Sequence, residues 1–338
     1  MKAYEVATGS KDLSGLKLVE RPDPVPGPRQ VLMRVRATSL NFRDLAVVLG
    51  VYPGPPAAKP VVPLSDGAGE VLAVGSEVTR FKPGDRVVST FFQVWIDGPP
   101  RPTPALGAAP VDGMLTQMAV LHEDGLVAIP PWMSFDEAAT LPCAGVTAWN
   151  GLMVAGKPIK PGDNVLVLGT GGVSIHALQF ARAAGARVIA TSSHDEKLAR
   201  AKTLGAAETI NYKKTPDWEK EVMRLTGGAG VACVVEVGGS GTLAKSFASV
   251  GYGGKVSLIG VLTNAQGGDT SPHGLMFRGA SLHGIMVGSR AMFENMLAAM
   301  TVNAIKPVID KTYAFDDAPA AFQYQMEAKH FGKVVIRV

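Results

Sequence analysis

Between residues 164 and 191 an apolar run, a knot of glycines, an apolar helical stretch and a second apolar run follow without interruption. They are Asn164-Val-Leu-Val-Leu168, Gly169-Thr-Gly171-Gly172-Val173, the stretch Ser174 to Ala184, and Arg187-Val-Ile-Ala-Thr191. No other feature constrains the fold as much. Two apolar strands joined through a helix pair in parallel, and a parallel sheet must be covered by helices on both faces. The alternation continues through helices at Glu196 to Leu204, Trp218 to Thr226 and Leu243 to Ser249. Strands are predicted around Thr209-Ile-Asn211, over Val231 to Val237 and over Gly254 to Gly260. This is the grammar of a doubly wound parallel sheet, which binds its ligand at the carboxyl ends of the strands.

The first half reads differently. Val31 to Ala37, Gly67 to Gly75 and Arg86 to Phe91 are short apolar segments bounded by Gly and Pro turns such as Lys82-Pro-Gly-Asp85, which predicts a β-rich unit. Trp95 to Pro110 is proline-rich and aperiodic, an irregular excursion. Ser134-Phe-Asp-Glu137 has the capping-box form and opens an apolar helical stretch to Met153, with Pro142 expected to break it in two. After Gly284-Ile-Met-Val-Gly288 come helices over Ala291 to Val302 and Asp316 to Lys329 and a strand from Lys333 to Val338. These are too few for a third domain and are expected to return to the first. The expected division is 1–135 with 289–338, and 136–288.

Composition excludes several classes. With 46% hydrophobic residues and a net charge of +4 over 338 residues, the chain has no reason to stay unfolded. Basic residues are scattered, and the pair Lys213-Lys214 sits near Asp217, Glu219 and Glu221, so no nucleic-acid stripe is read. No apolar run reaches membrane-spanning length, and residues 1–13 carry Lys2, Glu5, Lys11 and Asp12 where a signal peptide is apolar, so a cytoplasmic protein with no membrane partner is expected. Cys143 and Cys233 form no CxxC pattern. Gly151 to Lys157 imitates a P-loop, but Pro158 stands where a hydroxyl is needed and the segment follows a helix.

The glycines have a physical purpose. Gly169, Gly171 and Gly172, with Val173, let the chain turn sharply and bring backbone N–H groups up to a pyrophosphate resting on the positive end of a helix. In this kind of site an Asp or Glu at the tip of the second strand selects NAD. Here the strand runs into Ser192-Ser193, while Asp195 and Glu196 fit the first turn of the next helix. Ser192, Ser193 and Lys197, with Arg200 beyond, are suited to a 2′-phosphate, so NADP(H) is the expected cofactor.

Lys82-Pro-Gly-Asp-Arg-Val87, Ala138-Ala-Thr-Leu-Pro-Cys-Ala-Gly-Val-Thr-Ala-Trp149, Lys160-Pro-Gly-Asp163 and Gly169-Thr-Gly-Gly-Val173 occur in this order, and nearly the whole chain resembles the medium-chain dehydrogenase/reductase superfamily. Asn41-Phe-Arg-Asp44 and Gly50-Val-Tyr-Pro53 resemble its zinc-free quinone oxidoreductase and alcohol dehydrogenase-like branch. The resemblance implies an α/β chain, a GroES-like β-rich catalytic domain joined to a Rossmann domain. It also implies hydride transfer between nicotinamide and a quinone or α,β-unsaturated carbonyl, in a homodimer. The expected dimer edge is the apolar strand Leu282 to Val287.

Two other readings stay open, a zinc-free dehydrogenase acting on an alcohol/carbonyl pair and a non-catalytic crystallin-like or RNA-binding relative. Zinc-dependent relatives have a Cys near Asn41, a His-Glu pair near Ser65-Asp66 and a further Cys at Cys143. Only the last remains here, so no metal is expected, and His122 and His176 read as ordinary histidines. Cys143 reads as a small buried residue, with a reactive thiol as the alternative. By resemblance Asn41, Tyr52 and Thr147 line the catalytic pocket. Thr147, Gly238, Gly239, Gly260, Val261, Val287, Gly288 and Ser289 contact the cofactor, with Arg290 and Lys333 as weaker candidates. Tyr52 reads equally as a proton donor or as a turn aromatic. Asp44 reads as an exposed cap of the following helix, with a pocket carboxylate as the alternative.

Overall fold

A computed structural model describes residues 1–338 except 55, 56, 102, 261 and 263–269. The chain forms two compact units, Met1–Val146 with Gly288–Val338, and Thr147–Val287.

The first unit opens with β1 (Lys2–Val6) and β2 (Leu16–Glu20), an antiparallel pair, followed by β3 (Gln30–Leu40), α1 (Phe42–Val48), β4 (Asp66–Val74), β5 (Arg86–Ser89), β6 (Met118–His122) and β7 (Leu126–Ala128). Helix α2 (Phe135–Ala139) starts at the capping box as the sequence predicts: Glu137 N–H donates to Ser134 Oγ at 3.2 Å, and Ser134 N–H donates to Glu137 Oε2 at 2.8 Å. Pro142 does not break the path that follows. The chain widens into a π-helical turn at Leu141–Gly145, with the Val146 N–H reaching back to the Leu141 carbonyl, continues as α3 (Val146–Trp149), and widens again at Asn150–Val154. Pro142 lies at the start of the wide turn, where its missing N–H costs little. The division between units falls after Val146 rather than at residue 135, because α2 lies on β3 and β4; Ser39 Oγ donates to the Ala139 carbonyl at 2.8 Å.

The second unit carries β8 (Asn164–Val167), α4 (Gly172–Ala183), β9 (Arg187–Ser192), α5 (Asp195–Thr203), β10 (Glu208–Asn211), α6 (Trp218–Leu225), β11 (Val231–Glu236), α7 (Leu243–Ser249), β12 (Val250–Leu258), α8 (His273–Met276) and β13 (Ser281–Gly284). Its six strands, in the order β10-β9-β8-β11-β12-β13, pair in parallel throughout. Leu166, Ile189, Ile210, Val234 and Val256 from five of them are buried with Trp218, Val222 and Phe247 from the helices. The strand order reverses between β8 and β11, the switch point at which such sheets open a crevice.

The chain then re-enters the first unit through α9 (Arg290–Val302), β14 (Ile309–Ala314), α10 (Ala318–Met326) and β15 (Lys333–Arg337). The large sheet of that unit runs β14-β15-β3-β4-β5-β7, with β6 also on β3. Strand β3 is its hub, and its register places the site: Ser39 faces Asp66 of β4, and Leu40 faces Val334 of β15. Residues far apart in sequence thereby meet at the end of β3.

Candidate active site

The glycine turn of the second unit is shaped as the sequence implies. Gly169 has φ +73°, which favours glycine, and its N–H donates to Thr191 Oγ1 at 3.1 Å, tying the turn to the end of β9. Gly171 precedes α4, whose first turn carries no side-chain cap and no acidic residue. Its leading N–H groups are the donors that a pyrophosphate accepts. Gly172 and Val173 form that turn, and Ser174 Oγ donates to the Leu168 carbonyl at 2.6 Å, holding helix to strand.

At the tip of β9, Ser192 is buried and its Oγ accepts from His194 N–H at 3.3 Å, while Ser193 and Lys197 are half-buried. Asp195 takes hydrogen bonds from Lys214 at 2.5 Å and Asn211 at 2.7 Å, which hold its carboxyl below the ordinary range. No carboxylate ends β9, whose last residue is Ser192.

Sequence reasoning missed Glu236, the last residue of β11. Its carboxylate is fully buried and accepts from Gly238 N–H at 2.7 Å, Gly239 N–H at 3.0 Å, Thr242 Oγ1 at 2.6 Å and Ser246 Oγ. Its carbonyl accepts from the N–H groups of Ile259 at 2.8 Å and Gly260 at 3.1 Å. One side chain and its own backbone thus hold both glycine turns that the resemblance marks for cofactor. Gly260 is packed so closely on the Val237 backbone that a Cβ would lie 1.6 Å from a carbonyl oxygen, a steric reason for glycine there. Val261 lies outside the described residues.

Val287 has φ +50°, rare for a β-branched residue, and its carbonyl accepts from Asn150 Nδ2 at 2.8 Å. Gly288 lies where a Cβ would come within 2.6 Å of Val146, and the Ser289 hydroxyl caps α9, accepting from Met292 N–H at 3.2 Å. Arg290 turns onto Asp124 at 2.9 Å and Glu294 at 3.4 Å, so its charge is spent inside the first unit.

The polar cluster of the first unit gathers around the end of β3. Lys333, 2% exposed, donates to the Leu40 carbonyl at 2.6 Å and to Asn41 Oδ1 at 2.5 Å, and lies 3.8 Å from Asp66 Oδ2. The register of β15 carries the Lys333 side chain into this cluster. Asp66 also accepts from Ser65 Oγ at 2.6 Å and Cys143 N–H at 3.3 Å. Burial, together with Asp66, pushes the Cys143 thiol well above its ordinary range, which leaves a reactive thiolate unsupported.

Asn41 precedes α1, and its Nδ2 is buried with no hydrogen-bond partner among the described residues. Arg43 Nη1 donates to the Leu106 carbonyl at 2.8 Å, and the guanidinium lies over the rings of Tyr52 at 4.6 Å and Phe91 at 4.8 Å. Arg43 therefore joins Tyr52 to the cluster, a role that a lone Arg in a helix pattern does not advertise. Thr147, buried on α3, belongs to the second unit.

Asp44 is not the exposed cap expected of it. It does cap α1, accepting from Asn41 N–H at 2.7 Å, but it is fully buried, and burial pushes its pKa up to about 6 despite Arg43 nearby. The folded protein therefore holds this proton at pH values where the unfolded chain has lost it, so the group costs stability as pH rises from about 4 to 6. The full cost, present above that window, is roughly 3 kcal/mol. Asp44→Asn is expected to remove it, so that urea unfolding curves of variant and parent diverge between pH 4 and 7. Parallel curves would show that Asp44 is ionised alike in both states.

Among the described residues no three His, Cys, Asp or Glu side chains are grouped to hold a metal. His176 is buried on α4 and stacked on Phe180, and His122 Nδ1 accepts from Asp124 N–H at 3.1 Å. At the end of β3 the Lys333 ammonium already lies on Asn41 Oδ1 and 3.8 Å from Asp66 Oδ2, a poor setting for a second cation.

Comparison with known proteins accords with this geometry. Residues 27–131 match the alcohol dehydrogenase GroES-like domain, and residues 172–301 match the family described as zinc-binding dehydrogenase. A zinc-type alcohol dehydrogenase-like protein of Schizosaccharomyces pombe is 47% identical over 321 residues, covering 92% of this chain and 91% of that one. A quinone oxidoreductase of Pseudomonas aeruginosa is 36% identical over 260 residues, 76% and 72% of the two chains. A mycobacterial protein solved with NADPH superposes over the full length of both with a TM-score of 0.83 at 28% identity. A GroES-like sheet unit and a parallel-sheet nucleotide unit, together with these relatives, establish that the chain belongs to the medium-chain dehydrogenase/reductase superfamily and is an oxidoreductase that works with a nicotinamide cofactor.

Proposed function

We propose that the protein is a zinc-independent, NADP(H)-dependent oxidoreductase acting on a quinone or an α,β-unsaturated carbonyl. The carrying observation is the Lys333 ammonium bonded to Asn41 Oδ1 beside Asp66. This cluster offers a buried cation and amide and guanidinium donors, groups suited to an oxygen that gains negative charge. The nicotinamide supplies the hydride when bound. The uncapped start of α4 and the turn at Gly169 suit its pyrophosphate, and Ser192, Ser193 and Lys197 suit a 2′-phosphate. In this reading Asn41 orients the substrate oxygen and Tyr52 protonates it. Thr147, Gly238, Gly239, Val287 and Gly288 lie beside the cofactor.

The test is steady-state turnover with NADPH and 1,4-benzoquinone, with NADPH and 2-cyclohexenone, and with NADP+ and a secondary alcohol, each with and without EDTA. Turnover of the quinone or the enone, unchanged by chelator, is expected. Activity on the alcohol alone, unchanged by chelator, would support the second reading, a zinc-free alcohol dehydrogenase. Loss of activity with chelator would remove the metal-independent assignment.

If Tyr52 is the donor, Tyr52→Phe lowers kcat by more than about tenfold; a change confined to KM would leave it a packing aromatic beneath Arg43. We also infer a homodimer formed along β13, the sheet-edge strand where Leu282 and, just beyond, Met286 are exposed. A single-chain mass by light scattering would count against it.

A further inference from the structure

Resting on the reading above, we propose that Lys333 is a positioning residue that locks the Asn41 carboxamide so that its Nδ2 amino group, not its carbonyl, meets the substrate oxygen.

A carboxamide is nearly symmetric in shape, so packing alone does not decide which end points where; its hydrogen-bond partners do. An ammonium has donors and no acceptor. With Lys333 Nζ 2.5 Å from the Asn41 side chain, the atom in contact must be the oxygen. A flipped amide would set donor against donor in a site where Lys333 is 2% and Asn41 8% exposed. The ammonium cannot swing away, because the Leu40 carbonyl takes another of its hydrogens at 2.6 Å, Asp66 balances its charge at 3.8 Å, and β15 is fixed on β3 through the pair Val334 and Leu40.

The consequence appears on the other end of the amide. Nδ2 has no partner among the described residues, although a buried donor is normally satisfied. A substrate carbonyl or quinone oxygen supplies the missing acceptor. As that oxygen gains charge, the ammonium, one amide away, polarises the N–H toward it, since hydrogen bonds in a chain reinforce one another.

A purely structural lysine, there only to neutralise Asp66, predicts something different, and the orientation of the amide separates the two. In full-length protein labelled with 15N-asparagine, the Asn41 side-chain resonance is identified as the one lost in Asn41→Asp. It is expected to shift in Lys333→Met, where Nδ2 is free to turn toward the Leu40 carbonyl, and to shift less in Lys333→Gln, which keeps a donor but not the charge. Should Lys333→Met fail to fold because Asp66 is left unpaired, the double variant Lys333→Met with Asp66→Ser removes both charges, adds no labelled carboxamide and is read the same way.

With NADPH and 2-cyclohexenone, kcat is expected to fall about a hundredfold in the methionine variant, with KM for NADPH unchanged and most of the loss recovered in the glutamine variant. An unmoved resonance in Lys333→Met and in the double variant overturns the lock, whatever the activity. A moved resonance in an enzyme that turns over neither enone nor quinone supports the lock and removes the substrate reading instead.

Discussion

Replacing Lys197 by alanine is expected to weaken NADPH binding by about ten- to hundredfold while leaving NADH binding within about twofold of the parent, the equivalent of a charge-assisted contact of roughly 1.5–3 kcal/mol. The argument rests on the end of β9. Its last residue is Ser192, not an acid, and Asp195, the nearest carboxylate along the chain, is held by Lys214 and Asn211. Lys197, in the first turn of α5, brings a positive charge suited to a 2′-phosphate. Fluorescence titration of both cofactors against both proteins measures the effect. Equal dissociation constants in the unmodified protein would refute the NADP(H) assignment.

A larger loss is expected at a residue that touches no substrate. Glu236→Ala leaves two backbone N–H groups and two hydroxyls without their acceptor in a fully buried place, and the hydroxyls alone can turn to other partners. At about 1–3 kcal/mol for each stranded donor, the variant should lose on the order of 4 kcal/mol of unfolding free energy, with its glycine turns loosened. Glu236→Gln should be mild. Oε1 takes three of the four bonds, and at Oε2 the Ser246 hydroxyl can rotate to accept from an amide. Urea unfolding of the two variants reads the difference; equal losses would mean that the carboxylate's charge, not its acceptor geometry, is what the turns require.

What the sequence made legible and what it hid divide along a physical line. The strand, glycine turn and helix from Asn164 to Ala183 are local: apolar periodicity, a left-handed glycine and a helix start lie within twenty residues, and each appears where it is expected. The capping box at Ser134 is equally local. Asp44 was readable as a cap but not as a buried one, since its burial comes from the packing around the end of β3. Glu236 looks like the polar end of an apolar strand. Its only advertisement is the pair of glycines that follow and the hydroxyls at Thr242 and Ser246, whose meaning depends on α7 folding back over the turn. Lys333 was least legible, because its three partners, Leu40, Asn41 and Asp66, are fixed by strand register and not by spacing. Pro142 shows the converse, a local signal overridden when the backbone can widen into a π turn.

The placement of β15 beside β3 bears on the order in which the site comes into being. The bond from Lys333 to Asn41 spans 292 residues, and the whole second unit is synthesised between them. Until a ribosome has made the chain as far as Lys333, β3 lacks its neighbour, and Asp66 and Asn41 sit without their cation. Closing so long a loop comes late and makes contact formation slow. A nascent chain thus contains the whole second unit before it contains the last member of the polar cluster. The groups that surround Asn41 are completed only with the last strand of the chain, whatever the second unit has done before.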